Sequence, residues 1–153
     1  MKWEMPPDIK IYEALGAVAD GRVEADGNAA KVYSSSGNKY YDVAYDAAEG
    51  AIMANDNGSY WKGYLGYPAI AYLMSTGVLP YDESLGALMK GVAWKDINTK
   101  FKNDFDKTLA FILKDIPADA RTALSAQVAD VQRGIRRLDL NLLGKRKTPP
   151  AGY

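Results

Sequence analysis

The chain has 153 residues, 19 basic and 19 acidic side chains, 48% hydrophobic residues, and neither cysteine nor histidine. That length suits one domain burying roughly 70% of the surface its unfolded chain exposes, and the composition is that of an ordered globular protein. The two missing residue types exclude disulfides, thiolate nucleophiles, zinc and iron sites built on Cys or His, and every catalytic triad or dyad that needs an imidazole.

Pro6 and Pro7 precede Asp8 to Ala19, where Ile11, Leu15 and Val18 fall on one helical face, and Asp20-Gly21 supplies a stop. Met1 to Pro7 has neither the basic flank nor the apolar run of a signal peptide. The chain nowhere contains the stretch of about 18 apolar residues that a membrane-spanning helix needs, so the expected location is the cytoplasm.

Four segments then lean to extended structure: Arg22 to Asp26, Ala29 to Ser35, Lys39 to Asp46 and Ala51 to Asn55. Asp26-Gly27-Asn28, Ser36-Gly37-Asn38 and Ala47-Ala48-Glu49-Gly50 separate them with residues that tolerate the positive φ of tight reversals. Tyr41, Val43 and Tyr45 alternate with Asp42 and Ala44, as in a sheet with one face on a core. These segments predict a meander of three or four antiparallel strands, with Ser34-Ser35-Ser36 as strand-end and turn chemistry.

Pro68 is placed to start a helix through Met74 that Gly77 ends, and Asp82-Glu83 suits the first turn of a helix over Ser84 to Lys90. Trp94, Ile97, Phe101, Phe105, Leu109 and Ile112 form one stripe at helical spacing, which predicts a long amphipathic helix ended by Ile116-Pro117. A second long helix follows from the 4-3-4-3-4 spacing of Leu124, Val128, Val131, Ile135, Leu138 and Leu142. Residues 137–142 also alternate with period two, and helix is the preferred reading over strand. The stripe predicts either an antiparallel hairpin with the helix of Trp94 or self-association of two copies through Leu124, Val128, Val131, Ile135 and Leu138.

The expected fold class is α+β: an N-terminal helix, a three- to four-stranded antiparallel meander, and a helical C-terminal half with two long amphipathic helices covering the sheet. Residues 1–143 form a single domain, and 144–153 form a basic, Pro-containing tail expected to be flexible.

The segment from Asn55 to Pro68 concentrates rings, glycines and polar groups, a mixture that suits a binding groove because glycine admits a ligand to the backbone while tyrosine and tryptophan offer flat faces with polar tips. Its candidate ligand-binding residues are Asn55, Asp56, Asn57, Tyr60, Trp61, Lys62, Tyr64 and Tyr67, set against the alternative that the rings merely pack between sheet and helix. The expectation is a non-catalytic binding or assembly module. The enzymatic alternative uses Asp56 as general base with Lys62 or a tyrosine hydroxyl as its partner.

No metal or cofactor is expected. Aligning Gly58 with the glycine of a calcium-binding loop places Met53 and Tyr64 where ligands belong, so Asp56 or Ser59 reads better as a helix cap. Asp42, Asp46 and Glu49 near a turn read as solvated carboxylates before they read as a magnesium site. Nucleotide-binding glycine loops are absent. From Arg133 onward the chain carries six basic residues against one acid. That makes Arg133, Arg136, Arg137, Lys145, Arg146 and Lys147 the alternative, nucleic-acid-binding set.

Overall fold

A computed structural model describes residues 1–151. Helix α1 (Asp8–Ala19) is followed by strands β1 (Val23–Asp26), β2 (Ala29–Tyr33), β3 (Tyr40–Asp46) and β4 (Ala51–Ala54). These pair in sequence order as an antiparallel meander, with Ala30 opposite Val43 and Tyr45 opposite Ile52. Gly27, Gly37 and Gly50 sit in the three reversals with φ between +61° and +77°, the region where a Cβ is penalised. The strand boundaries follow the turn residues closely, and the α+β class stands.

One strand was not foreseen. Asn141–Leu142 forms β5, which pairs parallel to β4 and completes a five-stranded sheet. The long helix preferred through Leu142 instead stops at Leu138, and Asp139 turns the chain with φ +48°. Leu140 is buried beyond that turn. The period-two alternation over 137–142 therefore carried the right signal for its last residues. The N-terminal segment braces the same edge: the Trp3 amide donates to the Leu140 carbonyl at 3.0 Å and its indole N–H to the Ile52 carbonyl at 2.9 Å.

The apolar face of the sheet, carried by Val32, Val43 and Ile52, is covered by α2 (Tyr67–Ser75) rather than by two long helices. Pro68 through Met74 are all buried, because α2 lies on the sheet with one side and under α1 with the other. A helix apolar on every side must be enclosed in this way.

The C-terminal half contains one long helix, not two. The stripe from Trp94 to Ile112 is divided into α4 (Trp94–Lys100) and α5 (Phe105–Leu113), and only α6 (Ala118–Leu138) runs unbroken. Lys102 and Asn103 adopt φ +54° and +61°. The Asn103 amide donates to the Asn98 carbonyl at 2.8 Å and the Lys102 amide to the Thr99 carbonyl at 3.1 Å. This is the paired bonding that ends a helix in a left-handed residue. The segment expected to be helical at Ser84 to Lys90 is a single turn, α3 (Glu83–Gly86), continuing into a 3-10 turn at Ala87–Met89. Asp82 caps α3 by accepting from the amides of Ser84 and Leu85.

Leu124, Val128, Val131 and Ile135 are at most 6% exposed within the single chain, and Leu138 is partly buried against the same core. The α6 stripe faces α1 and α3 of its own chain and does not form a hairpin along one continuous aromatic helix. Among the described residues no helix is long and apolar enough to cross a membrane.

Candidate functional site

Between Asn57 and Tyr67 the chain makes a π-helical turn, Gly58–Lys62, that Gly63 ends with φ +76°. The turn is built on Asp56. Its Oδ2 accepts from the Ser59 amide at 3.2 Å and its Oδ1 from the Ser59 hydroxyl at 2.6 Å, and the same hydroxyl oxygen accepts from the Gly66 amide at 3.2 Å. A buried carboxylate thereby ties both ends of the segment together. The Tyr64 ring packs closely against Gly58, where an added Cβ would meet Tyr64 Cε1 at 2.4 Å.

This turn forms one wall of a cleft of about 680 Å³, a volume typical of small-molecule sites. Asp56, Asn57, Trp61, Lys62, Tyr64 and Tyr67, of the eight candidates, line it. Asn55 and Tyr60 do not. Asn55 is buried behind the wall, accepting from the Asp42 amide at 2.7 Å and donating to the Thr148 carbonyl at 3.2 Å. Tyr60 turns edge-on to Trp61, and its carbonyl accepts from Arg146 at 3.2 Å.

The other walls come from residues whose sequence context did not point to a site: Lys10 and Glu13 of α1, Arg22, Ser34 and Ser35 beside β2, and Trp94, Lys95, Asn98 and Phe105 from α4 and α5. Lys10 donates to Glu13 Oε2 at 3.1 Å, and Asn98 Nδ2 to Glu13 Oε1 at 2.9 Å, although Glu13 is only 3% exposed. A signal for these two was present. In α1, Lys10 and Glu13 are an i,i+3 pair of opposite charges set among apolar residues that are otherwise all core-facing.

The electrostatics of the cleft follow from burial. Burial pushes the Lys10 pKa down, but Glu13 foremost, then Tyr64 and Asp56, push it up further, so the ammonium is held above its ordinary value. Desolvation raises the Asp56 carboxyl, and the bonds from Ser59 and the charge of Lys10 offset only part of that. Tyr67 is likewise raised, chiefly by burial, against an opposing pull from Arg22. Lys10, Glu13, Asp56, Tyr64 and Tyr67 therefore form one coupled polar floor.

Of the groups named by the enzymatic alternative, Asp56 is buried and Lys62 is exposed, while Tyr64 and Tyr67 line the cleft with Asp56. Each carboxylate oxygen of Asp56 accepts one bond from Ser59, and Lys62 lies on the exposed end of the turn. The capping role is the one the geometry assigns to Asp56. Among the described residues no group of three acidic side chains is placed to hold a metal ion. Asp42 instead pairs with Lys147, and Asp46 accepts from the Glu49 amide.

The six basic residues are dispersed. Arg133 pairs with Asp130, while Arg136 and Arg137 are exposed in the last turn of α6 and Lys145 is exposed beyond it. Arg146 and Lys147 lie against Tyr60 and Asp42.

An α+β chain with a polar-floored cleft is the class these features define. A family model described as "Uncharacterised conserved protein UCP014422" matches residues 3–141, and the chain belongs to that family. All the residues lining the cleft fall within the matched range. No curated protein and no solved structure matches the chain.

Proposed function

We propose that this protein is a non-catalytic binding module whose small ligand enters the cleft between the π-helical turn and α4. The observation that carries the reading is the Lys10–Glu13–Asn98 cluster at the base of an open cleft. Burying an ion pair costs several kcal/mol per ion before its attraction is counted, so a fold would ordinarily fill such a position with apolar side chains. Here the costly groups face open space rimmed by Trp61, which is 69% exposed. An exposed tryptophan at the mouth and fixed charges at the base are the two halves of a recognition site.

The test is a fragment screen read by amide and side-chain NMR on the full chain. Binders should move the resonances of Asn57, Trp61, Lys95 and Asn98 together, and Glu13→Gln should weaken them at least tenfold. Binders that move scattered surface resonances and ignore Glu13 would remove the cleft from consideration.

A further inference from the structure

The cleft is polarised. At one end Arg22 is nine-tenths buried, donating through Nε to Asp20 at 3.1 Å and through Nη1 to the Tyr33 carbonyl at 2.7 Å, while its Nη2 makes no well-aligned hydrogen bond and the guanidinium lies 6.0 Å from the centre of the Tyr67 ring. Lys95 belongs to the same end, since its amide donates to the hydroxyl of Ser35, two residues beyond Tyr33. On α4, Asn98 spends its Nδ2 on Glu13 and leaves its Oδ1 without a donor. Buried polar atoms are rarely left unpaired, and three residues of the lining carry one; the Trp94 indole N–H faces Gly16 of α1, while the other two, of opposite hydrogen-bonding sense, define a complementary pair of ligand groups. Both residues line the cleft, and because the two atoms themselves are covered, a ligand engages them only as the side chains shift.

The mouth supplies a third constraint. Trp61 stands exposed there, while Tyr64 and Phe105 add rings to the lining, Phe105 covering the Lys10 ammonium at 4.8 Å from its centroid. Lys10, Arg22, Lys62 and Lys95 line the cleft against the carboxylates of Glu13 and Asp56.

We propose, resting on the binding role above, that the ligand is a small planar anion. Its carboxylate or phosphate is drawn to Arg22, a hydroxyl or N–H of the same molecule donates to Asn98 Oδ1, and its ring stacks against Trp61. A neutral donor suits Asn98 better than an ammonium, because Lys10 already occupies the adjoining side of Glu13. Aromatic faces select a flat body, and the guanidinium selects a planar or tetrahedral oxyanion.

The experiment is calorimetric titration of the full chain with three matched sets. The anions are 4-hydroxybenzoate and adenosine 5′-monophosphate, which separate the carboxylate from the phosphate source. Their neutral counterparts are 4-hydroxybenzamide and adenosine, and 4-hydroxybenzylamine is the cationic control. At least one anion should bind with Kd below about 1 mM and at least tenfold more tightly than its neutral counterpart. Lys62→Glu, an exposed substitution that leaves the fold intact, should weaken it threefold or more, and Arg22→Met should abolish it. If the neutral or cationic compounds bind as well as the anions and move the cleft resonances, the anionic ligand is wrong while the cleft remains a binding site. If no compound binds and none moves those resonances at millimolar concentration, both readings fall.

Discussion

Gly66 lies so close to Asp56 that a Cβ added to it would sit 2.0 Å from the carboxylate Oδ2. The glycine has an ordinary extended backbone, so the requirement is space and not conformation. Gly66→Ala must push the carboxylate off Ser59 and unfasten the π-helical turn. The expected cost is about 1–3 kcal/mol, the range for overpacking a tight interior, measured by urea unfolding. In the Asp56→Ala background the same substitution should cost much less. Equal costs in both backgrounds would show that the glycine answers to some other neighbour.

Asp56 also sets a pH dependence whose sign is opposite to that of a salt-bridged acid. Its folded pKa lies above the ordinary 3.8, because desolvation outweighs the bonds from Ser59. Between the unfolded and folded values the native state holds the proton more tightly, so Asp56 contributes stability at low pH that is lost as pH rises through its folded pKa. The difference in unfolding free energy between wild type and Asp56→Asn, followed from pH 4 to 8, should therefore move in favour of the variant as pH rises. Movement in the wild type's favour would mean that Ser59 outweighs burial.

How much was legible in the sequence depended on how local the determinant was. The strands were marked by Gly27, Gly37 and Gly50, whose backbone requirement is local, so the meander could be drawn almost residue by residue. The helix break at Lys102-Asn103 was not, because the apolar stripe continues through it and outweighed two local signals, Asn103, which tolerates the left-handed region, and Asp104, which caps α5 by accepting from the Lys107 amide. Half of the cleft was visible in the Asp56 to Tyr67 segment for a similar reason: rings and glycines adjacent in sequence. The opposite walls come from α1, the end of β2 and α4, and only the tertiary fold brings them to face Asp56. Ser34 and Ser35 read as turn chemistry in the sequence, and in the fold the same residues border the cleft.

The break itself is testable at Lys102, which holds φ +54° where a lysine pays for its Cβ. A left-handed conformation costs an L-residue about 1–2 kcal/mol, and glycine returns some of that through its looser unfolded state. Lys102→Gly should stabilise the protein by about 0.5–1 kcal/mol in chemical denaturation. A loss of stability would indicate that the lysine side chain holds α4 against α5 more strongly than its backbone opposes it.

Val131 decides between the two roles first open to the α6 stripe. It is fully buried in the single chain, so Val131→Asp places an unpaired charge in the core at a cost of several kcal/mol. Against a total of about 5–15 kcal/mol for a typical domain, the variant should be largely unfolded, and the wild type should elute as a folded monomer in size-exclusion chromatography with light scattering. A folded dimer that becomes a folded monomer on substitution would instead make the stripe an intersubunit seam.

The tail beyond Leu143 is joined to the cleft from behind. Asn55 bonds the β3 amide of Asp42 on one side and the Thr148 carbonyl on the other, and it immediately precedes Asp56. Arg146 reaches the carbonyl of Tyr60 in the π-helical turn, and Lys147 pairs with Asp42. The Arg146 and Lys147 contacts are at the surface and the Asn55 bond to Thr148 is part-buried, where loss of the tail would open it to water, so their combined worth to global stability is about 1 kcal/mol. Their local effect should be larger, since the turn has few other supports on that side. Ending the chain at Leu143 should leave the urea midpoint nearly unchanged while amide exchange at Gly58 to Gly63 accelerates at least tenfold. Asn55→Ala should reproduce part of that acceleration in the full-length chain. If exchange in the turn is unaffected by either change, Asp56 and Ser59 hold the wall of the cleft without help from the tail.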